Sequence, residues 1–287
     1  MSHLIPGEYD VTLNGVQIHY TVRGEGLALI AHSGGPGMDA RGWDDFARID
    51  EFVTIVAIHP RGSGLSGPAA EDAYLLPDYA ADVQALRLHL GLDRPIVMGW
   101  SHGGMVAMQY AFTYPDALSK LILFDTSAYF GEFLGDIEGA VQEFKHEKWF
   151  KKSFAALKAE WAGKYQSDED MSRLWVEEMK FYFKKFDERA KAYHERTRDL
   201  PLRIASLKTF NEKEAPTLDL RPLLKKITVP TLVIVGRHDF ITNVAMAEEI
   251  VKQIPNARLE IFENSGHYAL VEEPEKFYRV IKEFVES

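Results

Sequence analysis

The stretch best suited to do chemistry is GWSHGG, in which Ser101 stands between Gly99 and Gly103. A partly β-branched apolar run precedes the serine and apolar residues at helical spacing follow it, so the hydroxyl lies where a strand turns into a helix. A G-x-S-x-G pattern in this position is typical of a nucleophile held on a sharp, strained turn. The glycines are required because a side chain at either position would collide with the neighbouring strand or helix. The pattern predicts that Ser101 is a nucleophile.

A serine hydroxyl is a poor nucleophile, so Ser101 requires a base, and the base requires an orienting acid. With this kind of turn the expected chain order is serine, then acid, then histidine. Asp239 follows one buried apolar run and His267 follows the next. We therefore predict a catalytic triad of Ser101, His267 and Asp239. Asp125 also ends a predicted strand and is the alternative acid, whereas His102 should point its side chain away from the hydroxyl.

HSGGPG, residues 32–37, follows another predicted strand and offers main-chain hydrogen-bond donors. Successive glycines let backbone N–H groups face a developing oxyanion with no side chain intervening. We expect the oxyanion hole to consist of the backbone N–H groups of Gly35 and His102. Three further residues are predicted to contact substrate: Gly34, Trp100 and Phe240.

Short apolar runs that alternate with helical patterns must position these groups. Runs typical of strands covered on both faces occur at 27–32, 52–59, 95–100, 120–125, 230–236 and 257–263. Helical patterns occur at 77–91, 102–114, 243–254 and 274–286. A hairpin signal at Asn14-Gly15 precedes them all. This order predicts an α/β fold, a mostly parallel, doubly wound sheet with an N-terminal hairpin, whose functional loops lie at the carboxyl ends of the strands.

The alternation breaks after the strand that ends near Asp125. Residues 129–216 contain 16 of the 34 aromatic residues and read as several helices, among them 141–162 and 170–198. We predict that this segment is a helical cap above the carboxyl edge of the sheet, and that 1–128 and 217–287 form the core. Aromatic stripes at helical spacing mostly pack among themselves, so only some of these rings should line the cavity that the cap closes.

Composition argues against several kinds of function. The net charge of −10, without a stretch rich in Lys and Arg, disfavours a nucleic-acid surface. The chain has no cysteine, and its 10 histidines lack metal-ligand spacing, so we expect neither a cysteine nucleophile nor bound zinc. No apolar run is long enough to cross a membrane, and the first residues lack signal-peptide features, which predicts a cytoplasmic protein. We expect a small-molecule substrate and no cofactor, and no pattern indicates an oligomeric state.

With these motifs in place, the sequence resembles the α/β-hydrolase superfamily over essentially its whole length. The resemblance rests on GWSHGG, GRHD, NSGH, HPRGSGLS and HSGGPG. The GGPG loop is similar to that of proline iminopeptidases, which remove N-terminal proline and hold its amine with cap carboxylates. Ser33 stands where those enzymes usually have histidine, and Phe240 follows Asp239 where some members have an amine-binding glutamate. Four cap carboxylates could replace that glutamate, although carboxylates on a Lys-rich helix more often form a solvated face. They are Glu177, Glu178, Asp187 and Glu188.

The mechanism that the resemblance implies is acyl transfer through Ser101, and it leaves the substrate class open. The aromatic-rich cap favours a small, largely apolar carboxylic ester or lactone, because such a cap can enclose an apolar group and exclude water. The alternative is an aminopeptidase of the proline iminopeptidase type. A lyase or a ligand receptor is a third hypothesis, since the fold alone does not define function. Haloalkane dehalogenation is disfavoured because it needs a carboxylate where Ser101 stands.

Overall fold

One mostly parallel sheet forms the centre of the molecule. The computed structural model describes residues 4–43, 46–130 and 137–287. The strands are β1 (Gly7–Leu13), β2 (Val16–Arg23), β3 (Leu27–His32), β4 (Val53–Ile58), β5 (Ile96–Trp100), β6 (Lys120–Phe124), β7 (Thr231–Gly236) and β8 (Ala257–Phe262). Within the described residues these eight strands pair in the order β1-β2-β4-β3-β5-β6-β7-β8. β2 pairs antiparallel with both β1 and β4, and every other pair is parallel, which confirms the predicted sheet.

The N-terminal hairpin turns at the predicted dipeptide. Asn14 has a φ of 49° and Gly15 a φ of 80°, so both lie in the left-handed region. A two-residue turn of this kind matches the right-handed twist of the flanking strands, which is why Asn-Gly is favoured there. β1 and β2 are thereby paired in register from Leu13 opposite Val16 outwards.

Helices cover both faces of the sheet. They are α1 (Leu76–His89), α2 (His102–Thr113), α3 (Ile137–Ala140), α4 (Phe150–Trp161), α5 (Asp168–Glu178), α6 (Glu188–Thr197), α7 (Ile204–Thr209), α8 (Arg221–Leu224), α9 (Val244–Gln253), α10 (Ala269–Glu272) and α11 (Pro274–Glu286). Short 3₁₀ turns occur at Ala40–Trp43, Phe46–Glu51, Val141–Phe144 and Met179–Tyr182, and a π-helical turn at Phe210–Glu214. None of the helices in the described residues is both long and apolar enough to span a membrane.

Two apolar cores lie on opposite faces of the sheet. Ile30 and Val97 belong to the core that packs against α1, α2 and α9, whereas Leu29 and Met98 belong to the core against α10 and α11. Successive residues of one strand point to opposite faces, so a strand covered on both sides must be apolar at every position. β4 and β7 are buried along their whole length for this reason. The continuous apolar runs of the sequence are thus explained.

The segment between β6 and β7 contains more and shorter helices than the sequence predicts. The helical pattern at 141–162 divides into a 3₁₀ turn and α4, and the pattern at 170–198 divides into α5, a 3₁₀ turn and α6. Phe183 is extended and fully buried, and Asp187 then caps α6 by accepting hydrogen bonds from two backbone N–H groups. The helix breaks because Tyr182 and Phe183 pack against the loop that carries His267. Residues 131–136 of the predicted cap lie outside the described residues.

Candidate active site

The turn at Ser101 has the strained geometry that the sequence predicts. β5 ends at Trp100 and α2 begins at His102, and between them Ser101 has a φ of 55° and a ψ of −120°. A residue with a Cβ seldom adopts a positive φ, and such strain persists only where the surroundings hold it. The Ser101 N–H donates to the carbonyl of Phe124 at 2.9 Å, and the Thr126 hydroxyl donates to the Ser101 carbonyl at 2.6 Å. The end of β6 therefore clamps the serine from both sides.

The glycines that flank the serine are sites of close main-chain approach. A Cβ at Gly99 would lie 2.1 Å from the carbonyl oxygen of Gly103. A Cβ at Gly103 would lie 2.4 Å from the carbonyl oxygens of His32 and Ser33. Both distances are far below van der Waals contact, so helix α2 can approach the ends of β3 and β5 this closely only with glycine at these positions.

Asp239 and His267 lie together at the carboxyl edge of the sheet. His267 Nδ1 is 2.7 Å from Asp239 Oδ2, and both residues are buried. The other carboxylate oxygen of Asp239 accepts from the N–H groups of Ile241 and Thr242, and the Thr242 hydroxyl donates to Oδ2 at 2.7 Å. A carboxylate that accepts this many hydrogen bonds is fixed in position and can fix the imidazole in turn. Thr242 was missed by the sequence interpretation, since a threonine three residues after an acid carries no distinctive signal.

The alternative acid, Asp125, lies in the same cluster. One ligating atom from each of Asp125, Asp239 and His267 lies within 4.8 Å of the other two. Groups this close could surround a cation, but His267 Nδ1 already hydrogen-bonds to Asp239, so we interpret the cluster as an imidazole with its acids. Asp239, rather than Asp125, makes the direct hydrogen bond to the ring.

The backbone N–H groups expected to bind an oxyanion lie beside the serine. Gly35 has a φ of 54°, and a Cβ at the preceding Gly34 would lie 3.1 Å from the Cβ of Ser101. Within the described part of the chain, neither the Gly35 N–H nor the His102 N–H donates a hydrogen bond to another group. Both residues line the same cavity as Ser101. Two unused donors near a nucleophile are what stabilisation of an oxyanion requires.

The side chain of His102 is buried among rings of other residues than Asp239 and His267. It contacts Tyr79 and Phe210 edge-on, with ring centroids 5.3 Å apart in each case, and lies near His32. Burial lowers the pKa of His102 to about 3 and that of His32 to about 4, so both are neutral at pH 7. His102 is therefore unsuited to act as the base, as the sequence interpretation expects.

A cavity of about 490 Å³ opens onto Ser101 and His267. Its size is within the range of small-molecule sites. Aromatic rings form much of its wall: Trp100, Phe130, Trp161, Tyr165, Trp175, Tyr182, Phe210 and Tyr268. Of the residues expected to contact substrate, Gly34 and Trp100 line this cavity. Phe240 is not among the described residues that line it and packs against Tyr182 instead, while Ile241 and Thr242 line the wall.

Three carboxyl residues of the segment between β6 and β7 line the cavity: Glu160, Glu178 and the exposed Glu212, together with the exposed Lys208. Glu178 is 1% exposed, and within the described residues its Oε2 has no hydrogen-bond partner. Burial, and then the nearby charge of Glu160, raise the pKa of Glu178 well above its usual range, and burial raises the pKa of Glu160 to about 7. The sequence interpretation included Glu178 among the candidates but missed Glu160, since a single acid on α4 looks like part of a solvated face.

The other three candidate carboxylates of the predicted cap have different surroundings. Glu177 pairs with Lys152 and Lys180 at 2.6 Å each. Asp187 caps α6, and Glu188 is exposed and pairs with a lysine one turn away. None of these three is among the described residues that line the cavity. Neighbouring helical positions therefore differ in what they contact, and Glu178 is the one directed inward.

The inserted segment is bonded directly to the histidine loop. The N–H of His267 donates to the carbonyl of Tyr182 at 2.7 Å, and the two rings are edge-on with centroids 5.6 Å apart. The N–H of Lys184 donates to Glu272 at 2.8 Å, just beyond that loop. The cavity wall and the predicted base are thus held as one unit.

Comparisons with known proteins agree with this geometry. The family model described as the α/β hydrolase fold matches residues 28–274. The chain is 27% identical over 290 residues to a proline iminopeptidase of Saccharolobus solfataricus, which covers 95% of this chain and 90% of that protein. It is 28% identical over 283 residues to a 2-hydroxy-6-oxo-6-phenylhexa-2,4-dienoate hydrolase of Comamonas testosteroni, covering 95% and 92%. The solved enol-lactonase of Burkholderia xenovorans superimposes with a TM-score of 0.75 at 22% identity, covering 97% and 100%.

Proposed function

Because the chain belongs to the α/β hydrolase fold family, we propose that it is a serine hydrolase that forms an acyl-enzyme on Ser101. One observation carries the proposal: Ser101 and His267 border one aromatic cavity, and His267 is hydrogen-bonded to a buried acid. Relatives named as hydrolases of several substrates support the same chemistry.

The proposed mechanism assigns one role to each group. His267 takes the proton of Ser101 as the hydroxyl oxygen attacks the acyl carbon, and Asp239 orients and stabilises the imidazolium. The backbone N–H groups of Gly35 and His102 stabilise the tetrahedral oxyanion, which is worth about 3 kcal/mol per donor. His267 then donates its proton to the leaving group. Water releases the acyl-enzyme, again with His267 as base.

The proposed substrate is a small, largely apolar carboxylic ester or lactone. Trp100, Trp175 and Tyr268 present ring surface beside the nucleophile, so an apolar acyl or alcohol group gains from leaving water. A cavity of about 490 Å³ accommodates such a molecule but not a large polymer.

A second candidate is a substrate with a free N-terminal amine, and Glu178 is the observation that favours it. A buried carboxyl oxygen without a partner is costly unless a ligand supplies one. Glu160 also lines the cavity, and the exposed Glu212 and Lys208 add a further acid and a cation to its wall. Glu178 and Glu160 are the two cavity acids whose pKa values burial raises. An ammonium group bound there would pair with both and hold a peptide bond towards Ser101, which is the arrangement of an aminopeptidase of the proline iminopeptidase type.

Turnover by wild type and Ser101→Ala tests the mechanism. The substrates are short and medium p-nitrophenyl esters, an acyl lactone, 2-hydroxy-6-oxo-6-phenylhexa-2,4-dienoate and proline p-nitroanilide. We expect ester or lactone turnover that falls by more than about 10⁴-fold in the variant. Activity that survives Ser101→Ala refutes the acyl-enzyme on Ser101, and a wild type that turns over none of these substrates favours a lyase or a ligand-binding function.

Substitution of Glu178 separates the two substrate classes. If the protein acts on substrates with a free N-terminal amine, Glu178→Gln lowers kcat/KM for proline p-nitroanilide by about 100-fold, because the buried ammonium group of the substrate loses its partner. The matched control is Glu177→Gln, the next residue on the same helix, whose carboxylate pairs with lysines outside the cavity. KM for the anilide should also fall as pH rises through the raised pKa of Glu160, near 7, since the ionised acid binds the ammonium. Equal effects on ester and anilide, or none, argue against an amine site.

A further inference from the structure

Asp125 is a buried acid that the proposed mechanism leaves unused. It follows β6 directly and has a φ of 42°, which is uncommon for residues other than glycine. Its Oδ1 accepts the N–H of Gly236 at 2.8 Å, at the end of the strand that precedes Asp239. Its Oδ2 is buried and, within the described residues, has no hydrogen-bond partner. A polar atom in that state requires an explanation.

The cluster in which Asp125 lies supplies one. A ligating atom of Asp125 lies within 4.8 Å of ligating atoms of both Asp239 and His267. Two carboxylates this close to each other in a buried site do not both ionise without a large cost. The pair therefore carries one negative charge beside one imidazole, and Asp239 holds that charge because it accepts three hydrogen bonds besides that of His267.

We propose that Asp125 is a second positioning acid of the active site, which orients His267 when Asp239 carries no negative charge. The proposal rests on the proposed serine hydrolase function. It differs from a purely structural role, in which Asp125 would only tie the end of β6 to Gly236.

The groups that face Asp125 determine how it titrates. Burial, and then the charge of Asp239, raise its pKa well above the usual range, with a smaller contribution from Glu272. Glu272 itself accepts hydrogen bonds from the backbone N–H groups of Gly266 and Lys184. Burial raises the pKa of Glu272 to about 8. Both effects favour the protonated form of Asp125 in the wild type. In Asp239→Asn the repulsion disappears, and Asp125 can lose its proton and accept a hydrogen bond from the imidazole.

The test measures the rate at which a fluorophosphonate labels Ser101 in four proteins: wild type, Asp125→Asn, Asp239→Asn and the double variant. Labelling forms a bond between the serine oxygen and phosphorus, releases fluoride and passes the serine proton to His267. It depends on the base but not on the natural substrate. Loss of the orienting acid alone would slow an enzyme of this kind by about 10⁴-fold. We expect Asp239→Asn to slow labelling by only about 10- to 100-fold and the double variant by about 10⁴-fold.

The pH profile distinguishes positioning from structure. In Asp239→Asn, labelling of Ser101 should require an ionised Asp125. The acid limb of the labelling rate against pH should therefore lie at higher pH in Asp239→Asn than in the wild type, and it should vanish in the double variant. The matched control is Glu214→Gln in the same background. Glu214 is a half-buried acid that accepts a backbone N–H with one oxygen, and its other oxygen is buried without a partner within the described residues. It does not belong to the cluster. This substitution should leave the labelling rate of Asp239→Asn within about threefold.

Three outcomes overturn the proposal. One is a single variant, Asp239→Asn, that labels as slowly as the double variant. Another is an unshifted acid limb in Asp239→Asn. The third is an Asp125→Asn effect that is equal in both backgrounds and parallels a loss of melting temperature, which indicates a structural role. A wild type that does not label at all, or a label found away from Ser101, instead refutes the proposed function.

Discussion

A methyl group added at Gly103 would strike the main chain that follows β3. Its Cβ would lie 2.4 Å from the carbonyl oxygens of His32 and Ser33, whereas ordinary contact begins at 3.4 Å. Neither oxygen can rotate away, because both belong to backbone. Helix α2 must therefore move by about 1 Å, and Ser101 must move with it.

The displacement sets the expected loss. A misplacement of about 1 Å costs about 100-fold in rate when the nucleophile must meet a fixed base and fixed donors. Overpacking of a close contact destabilises by about 1–3 kcal/mol. We therefore expect Gly103→Ala to lower kcat/KM about 100-fold and to lower the melting temperature by about 3–10 °C.

Ester hydrolysis, fluorophosphonate labelling and thermal unfolding measure these effects together. Gly42→Ala is the matched control, since its Cβ would lie 3.6 Å from the Tyr193 hydroxyl and its φ is not left-handed. We expect the control to retain wild-type activity. If Gly103→Ala labels at the wild-type rate and melts normally, then close approach of α2 does not hold the serine, and the steric argument for the turn is wrong.

Three further predictions follow from hydrogen bonds and burial. Thr242→Val removes a donor to Asp239 and should lower kcat about tenfold, whereas Thr242→Ser should retain it; equal kcat values in both variants would contradict the role. Arg61→Met leaves Asp82 buried without its two hydrogen bonds of 2.7 Å from the guanidinium. The free energy of unfolding, measured in urea, should fall by about 3–5 kcal/mol, and a fall of less than about 1 kcal/mol would contradict this role of Arg61. Burial lowers the pKa of His102 to about 3, below its value of about 6.5 in the unfolded chain, so the unfolded state binds the proton first. As the pH is lowered from 6.5 to 3, the free energy of unfolding should therefore fall by up to about 1.4 kcal/mol per pH unit. His102→Gln should reduce that slope in urea unfolding measured across this range.

The sequence was sufficient for the sheet and for the order of the triad candidates because both depend on local patterns. A continuous apolar run indicates a doubly covered strand whatever surrounds it, and the structure places β3, β5 and β7 within about a residue of the predicted runs. The parallel order then brings Ser101, Asp239 and His267 to one edge, since each follows the carboxyl end of a strand.

The cavity wall could not be predicted in the same way. Glu177 and Glu178 are adjacent on a helix and chemically identical, yet one pairs with lysines and the other faces the cavity. The difference depends on how α5 is rotated against its neighbours, which is a tertiary property. The break after Tyr182 was missed for the same reason. Helical periodicity continues through it, whereas in the structure Tyr182 and Phe183 contact the His267 loop and Phe183 is extended.

The bond between Tyr182 and His267 has a consequence for specificity. A segment that shapes the cavity usually varies independently of the catalytic groups, so that changes in it alter KM and leave kcat alone. Here the carbonyl of Tyr182 accepts a hydrogen bond from the N–H of His267. A Cβ at Gly266, the residue before His267, would lie 2.4 Å from that same carbonyl oxygen. Any substitution that shifts the 3₁₀ turn at Met179–Tyr182 also shifts the imidazole. In the proposed mechanism, substrate range and catalytic rate are therefore coupled through this stretch of main chain. Substitutions that change only the substrate range should be found more readily at Trp161 or Phe130, which line the cavity and make no hydrogen bond to the His267 main chain within the described residues.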